Sequence, residues 1–217
     1  MIEWIFNQQG VLLISLVLLI VSERFLTRKI SAKLAYRFWL FVPLILLCNN
    51  APKQFATMPT DSFSHYVVSV KPVSNPIESN WLLLVWLLGV AVMLVFICTK
   101  YIQLYRSVGS QENIAKTPCY SSQLVASPIV LGFISPKILL PDDFQQVFCK
   151  HQQKMVIEHE RVHIQHGDHL WNVLALTFLI VFWFNPLVWM GARSFRVCQE
   201  LACDNQTLKT KSKHQKL

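Results

Sequence analysis

Apolar residues fall in blocks along this chain rather than at helical or strand spacing, and the blocks set its organisation. Trp4 to Ser22 is a run of nineteen uncharged residues, long enough for a helix to cross the hydrocarbon core of a bilayer. A shorter block, Phe38 to Cys48, contains Pro43 and reaches spanning length only if Leu34 to Tyr36 join it. Trp81 to Thr99 is the clearest spanning segment and is closed by Lys100 and Arg106. Between them, residues 49 to 79 are polar, carry Pro52, Pro59, Pro72 and Pro76, and read as an irregular loop.

After Lys100 the pattern changes. Ser122 to Ala126 and Ile129 to Phe133 have strand-like composition. Ser135 to Pro141 is a short run bounded by prolines, which suits an edge strand because proline cannot donate to a ladder. Asp142-Asp143 then caps a helix starting near Phe144 and running through His163. Gly167-Asp168 breaks that helix, and Asn185-Pro186 signals a turn. The fold class expected is a mostly α membrane protein. About three transmembrane helices occupy residues 1–100, and a small α+β zincin-like domain occupies 101–217, with a membrane-associated helical hairpin at 169–205.

Composition agrees with insertion. Hydrophobic residues make up 53% of the chain and charged residues only 15%, too apolar for an ordinary soluble domain. The net charge of +8 lies in short clusters rather than along one face, which argues against nucleic-acid binding. Arg24, Arg28, Lys29, Lys33 and Arg37 fill the first connection, whereas the 49–79 loop holds only Lys53 and Lys71. The positive-inside rule puts the first connection in the cytoplasm, the N-terminus outside, and everything after Lys100 on the cytoplasmic side. No basic segment precedes the first apolar run, so no cleavable signal peptide is expected. The six cysteines form no CxxC pair and read as reduced, small apolar residues.

His159-Glu160-Arg161-Val162-His163 is an HExxH sequence. On a helix, positions i and i+4 share a face, so both imidazoles can hold one zinc ion with Glu160 beside it as general base. Zinc brings the pKa of a coordinated water towards neutrality, which makes hydrolysis possible at ordinary pH. A catalytic zinc has three protein ligands, and downstream of His163 the acidic residues are Asp168, Glu200 and Asp204. A helix from His169 to Phe184 rises about 24 Å and a return from Leu187 to Glu200 descends about 20 Å. The legs nearly cancel, so a hairpin brings Glu200 back to the motif as third ligand. Asp204, one turn further on, is placed to accept the outer N–H of a ligating histidine. Asp168 reads as a cap for the next helix. His151, His166 and His169 read as surface or interfacial histidines, any one of which could reach an oxyanion.

Three stretches together resemble the BlaR/MecR-type membrane metallopeptidases: Ser127 to Pro141, His159 to Asp168, and Phe182 to Trp189 followed by Glu200-Leu201-Ala202-Cys203-Asp204. The likeness is close from about 120 to 208 and extends to the earlier helices in layout only. It implies a gluzincin site, with His159, His163 and Glu200 as zinc ligands and Glu160 as general base. It also implies that the proline-bounded segment lies beside the cleft, where an extended peptide can pair. The setting implied is the bacterial inner membrane, multi-pass, with the active site facing the cytoplasm. The implied partners are membrane lipid and a protein or peptide substrate, a cytoplasmic repressor being one candidate. Sensor-transducers of that family carry an extracellular penicillin-binding domain, whereas this chain stops at Leu217 and has no SxxK motif. A minimal protease module served by a separate sensor protein is therefore expected, acting in signal transduction. The competing class is a non-catalytic membrane signalling or scaffold protein that keeps the fold. A transporter is disfavoured, because the first three helices carry no charge at mid-membrane.

Overall fold

The computed structural model describes residues 2–29, 31–50 and 78–214. Most of the 49–79 loop lies outside them. Three helical segments have the length and apolarity to cross a membrane: Glu3–Glu23, Ala32–Asn49 and Trp81–Arg106. The first lies within α1 (Ile2–Lys29). The second is a pair, α2 (Ala32–Phe38) and α3 (Phe41–Asn49), and the third lies in α4 (Glu78–Arg106). The α2–α3 break falls at Trp39-Leu40, four residues before Pro43. A proline ring clashes with the carbonyl four residues back and offers no N–H to it, so the helix interrupts there.

Side chains near the start of α1 tie it to its neighbours. The Asn49 amide donates to Gln8 Oε1 at 2.9 Å, and the Gln8 amide donates to Asn50 Oδ1 at 3.0 Å. Polar groups inside an apolar bundle need partners of this kind. Below them Leu12 and Leu16 are buried against Trp39, Val42 and Leu46.

The expected hairpin is present as α7 (Asp168–Val181) and α8 (Pro186–His214). It runs alongside α1 and α2 and shares their core through Phe182, Val188, Phe195 and Cys198. Asn185 caps the return helix by accepting the Leu187 N–H at 3.0 Å, and its amide donates to Gln9 Oε1 at 2.8 Å. The hairpin tip therefore reaches the level of the first turns of α1. Gly191 permits the close approach: a Cβ there would stand 2.9 Å from Leu16 Cδ2. Gly89 does the same for α4, where a Cβ would run into the Trp183 ring.

A four-stranded sheet follows α4, with β1 (Gln111–Ile114), β2 (Thr117–Ser122), β3 (Ile129–Leu131) and β4 (Lys137–Pro141) in the order β1-β2-β4-β3. The β1–β2 hairpin turns through Ala115 and Lys116, both at positive φ, the signature of a two-residue turn matched to strand twist. Two expectations are corrected here. The strand-like segment 122–126 contributes only Ser122 to a strand, since β2 has already ended. The proline-bounded run is a central strand, parallel to β2 and antiparallel to β3. Its prolines sit just before the strand and at its last position, so the N–H groups of 137 to 140 stay available to both neighbours. The edge is β3.

The helix expected from Phe144 through the motif is divided. A short α5 (Phe144–Val147) ends where Phe148 goes extended, and α6 (Lys150–His166) begins afresh. Cys149 is the N-cap residue, its N–H bonded to the Gln152 side chain at 3.0 Å. Phe144 anchors the second core with Cys119, Ile138, Leu140 and Ile157, which seats α6 on the sheet.

Candidate metal centre

Helix α6 carries His159 and His163 one turn apart, and their rings meet edge to face with Nε2 atoms 3.1 Å apart. Helix α8 passes antiparallel to the hairpin's first leg and brings Glu200 Oε2 to 3.3 Å from His159 Nε2 and 3.6 Å from His163 Nε2. Three donors thus face one point. Tetrahedral ligands with bonds of about 2.0–2.1 Å lie about 3.4 Å from one another, so separations of 3.1 to 3.6 Å are those of donors around a single small divalent ion.

Both histidines have their outer nitrogens engaged by carboxylates. Asp204 Oδ1 lies 3.2 Å from His159 Nδ1, and Asp168 Oδ2 lies 2.6 Å from His163 Nδ1. With protons on both Nδ1 atoms, the Nε2 lone pairs point to the shared position. Such outer partners fix tautomer and ring orientation.

Asp168 departs from its reading as a helix cap. Gly167 takes the cap position in left-handed geometry, φ 70°, which folds the chain back so that the next carboxylate meets His163. Asp168 is 2% exposed, and the Tyr36 hydroxyl donates to its Oδ1 at 2.6 Å. A buried carboxylate with both oxygens occupied is a far stiffer support than Asp204, whose side chain is 62% exposed. Cys203 adds to the group, with Sγ 3.3 Å from His163 Nδ1 and 3.5 Å from Asp168 Oδ2. On sequence alone Asp168 is weighed as a third ligand and set aside as a helix cap, and neither Tyr36 nor Cys203 is singled out as a site residue. The local signal was the break at Gly167, four residues after His163, with a carboxylate directly behind it.

The electrostatics follow from this packing. Burial works against a charged His163, but its hydrogen bonds to Asp168, Cys203 and Glu200 outweigh that and push its pKa up to about 12. His159 is raised chiefly through its bond to Glu200. Bonds to His159 and then His163 hold Glu200 well below the usual carboxylate range. A field that favours a proton on these rings favours any cation there. Glu160 sits beside the trio, 8% exposed, and burial raises its carboxyl pKa.

The flanking histidines do not join the three converging donors, although His166 Nδ1 lies 3.6 Å from Cys203 Sγ. His151 is exposed at the start of α6. His166 pairs through Nε2 with Gln206 Oε1 at 2.8 Å. His169 holds a buried Nδ1 with no partner among the described residues.

Compared with known proteins, residues 4–217 match the BlaR1 peptidase M56 family. The regulatory protein BlaR1 of Bacillus licheniformis is 32% identical over 169 residues, which cover 68% of this chain and 28% of that protein. The methicillin resistance mecR1 proteins of Staphylococcus aureus and Staphylococcus epidermidis are 28% identical over 119 residues, 55% of this chain and 19% of theirs. The chain therefore spans less than a third of the length of these relatives.

Proposed function

Because the chain belongs to the BlaR1 peptidase M56 family, we propose that it is an integral-membrane zinc endopeptidase. On this reading it cleaves a protein or peptide near the cytoplasmic face of the membrane, in signalling or the regulation of gene expression. The observation that carries the reading is the convergence of His159 Nε2, His163 Nε2 and Glu200 Oε2 on one point, with Glu160 beside them. Imidazole and carboxylate donors in this number suit a catalytic zinc, which keeps a fourth position open. When bound, zinc supplies Lewis acidity that makes water a nucleophile at neutral pH and polarises the scissile carbonyl.

The chain's own residues do the rest. Glu160 takes a proton from the attacking water and passes it to the departing amide nitrogen. Asp168 and Asp204 hold the two imidazoles in the productive tautomer, and Tyr36 holds Asp168. An extended substrate pairs along the outer edge of β3, which is unpaired within the sheet and neighbours α6. The depth of the site supports a cytoplasmic setting: Tyr36, which touches Asp168, lies in α2 at the start of the second spanning segment, flanked by Lys33 and Arg37 and close to the basic connection that precedes it. The names of the relatives point to regulation and to methicillin resistance. By analogy, the substrate class is a cytoplasmic repressor or similar regulatory protein, with a separate sensor protein supplying the stimulus.

Metal removal tests the reading directly. Chain purified in detergent should carry about one zinc ion and cleave quenched fluorescent peptides of mixed sequence. A chelator should abolish cleavage and added zinc restore it. Protein that binds no zinc even when zinc is supplied would overturn the assignment.

Topology gives an independent check. With all basic clusters inside, the N-terminus is extracytoplasmic and the C-terminus cytoplasmic. Reporter fusions at residue 60 and at the C-terminus should score on opposite sides of the membrane, and the same side for both would reject the arrangement.

A further inference from the structure

A cavity of about 380 Å³ lies among α1, α2, α3, the end of α6, α7 and α8, within the size range of small-molecule sites. Its walls differ from end to end. Leu12, Leu16, Val42, Phe178 and Val188 line an apolar throat, while Lys33, Arg37, Gln165 and His166 form a polar mouth. The division follows from the sequence. Helix α2 begins directly after the basic connection, so Lys33 and Arg37, four apart, share one face at that end. Neither forms an ion pair with another described residue. The metal-facing residues His159, His163 and Glu200 do not line this space.

An apolar throat between membrane helices takes hydrocarbon, and two cations with no ion-pair partner among the described residues call for an anion at its mouth. A neutral ligand would leave that charge unanswered, and so would an apolar helix from a second copy. We propose that the cavity holds an acyl chain of an anionic phospholipid whose phosphate sits between Lys33 and Arg37. Basic pockets at the cytoplasmic ends of spanning helices select such headgroups. Tyr36 forms part of the same wall, so the lipid lies against the ring whose hydroxyl holds Asp168. The inference depends on insertion in a membrane and not on the peptidase chemistry.

The test is lipid binding by the full-length chain, purified in mild detergent and delipidated, followed by native mass spectrometry. Phosphatidylglycerol should bind in preference to phosphatidylcholine with the same acyl chains. At about fivefold for each basic residue, Lys33→Gln with Arg37→Gln should weaken phosphatidylglycerol binding about 30-fold. Ala175 on α7 also lines the throat, and Ala175→Phe, which fills it, should weaken binding while circular dichroism stays unchanged; if that variant does not fold, the double charge variant decides. Equal affinity for the two lipids, or phosphatidylglycerol binding unaffected by the charge variant, would overturn the proposal. A concentration-dependent dimer abolished by Ala175→Phe would also overturn it, assigning the cavity to a second copy. None of these readings needs zinc or cleavage, so failure here leaves the peptidase assignment standing.

Discussion

Glu160→Gln is expected to insert, fold and hold zinc like the parent while peptide cleavage, including any self-cleavage, falls by about 10²–10⁴-fold, the usual contribution of a general base. The substitution keeps the side chain's size and replaces a buried carboxyl group with a neutral amide, so packing around this 8%-exposed position should survive. Metal content should survive as well, because the three donors that converge are His159, His163 and Glu200. The paired measurement is zinc by elemental analysis and initial cleavage rate on the same preparation. A variant that loses its metal along with its activity would make Glu160 a ligand and end its role as base. A parent that holds zinc yet cleaves no better than Glu160→Gln would favour the non-catalytic signalling or scaffold reading.

What could be read from the chain depended on how far each argument had to reach along it. The HExxH pair rests on helical periodicity over five residues, and α6 presents it in that way. Glu200 required only that a turn at Asn185-Pro186 send a second helix back over a comparable length, and α7 and α8 do so. The membrane segments were legible because length and apolarity alone define them. Edge and centre were not legible in the sheet, since prolines at the ends of a strand leave its interior donors intact, as β4 shows. The single helix expected from Phe144 to the motif failed at Phe148, which leaves helical geometry while its ring packs on Phe144. Tyr36 lay furthest out of reach: its hydroxyl meets a carboxylate 132 residues away, across a helix packing that no local pattern encodes.

Removing carboxylates one at a time should rank them by position. Glu200→Ala deletes one of three converging donors and should weaken zinc binding by more than the about 10–100-fold that loss of an outer partner costs. Asp168→Asn should fall within that 10–100-fold range. Its two oxygens both accept, one from the Tyr36 hydroxyl and one from His163 Nδ1–H, whereas an asparagine offers one acceptor and one donor, so either the bond to His163 is lost or the Tyr36 hydroxyl must reverse to accept and its own proton loses its acceptor. The site is 2% exposed, so water cannot stand in for the missing partner. Asp204→Asn should cost least, because its contact with His159 is longer, at 3.2 Å, and its side chain is 62% exposed and open to replacement by solvent. Competition against a zinc-responsive dye, with each variant's circular dichroism matched to the parent, gives the three affinities on one scale. If Asp168→Asn empties the site as fully as Glu200→Ala, Asp168 is itself a ligand. If Glu200→Ala costs no more than Asp204→Asn, the return helix does not supply the third ligand.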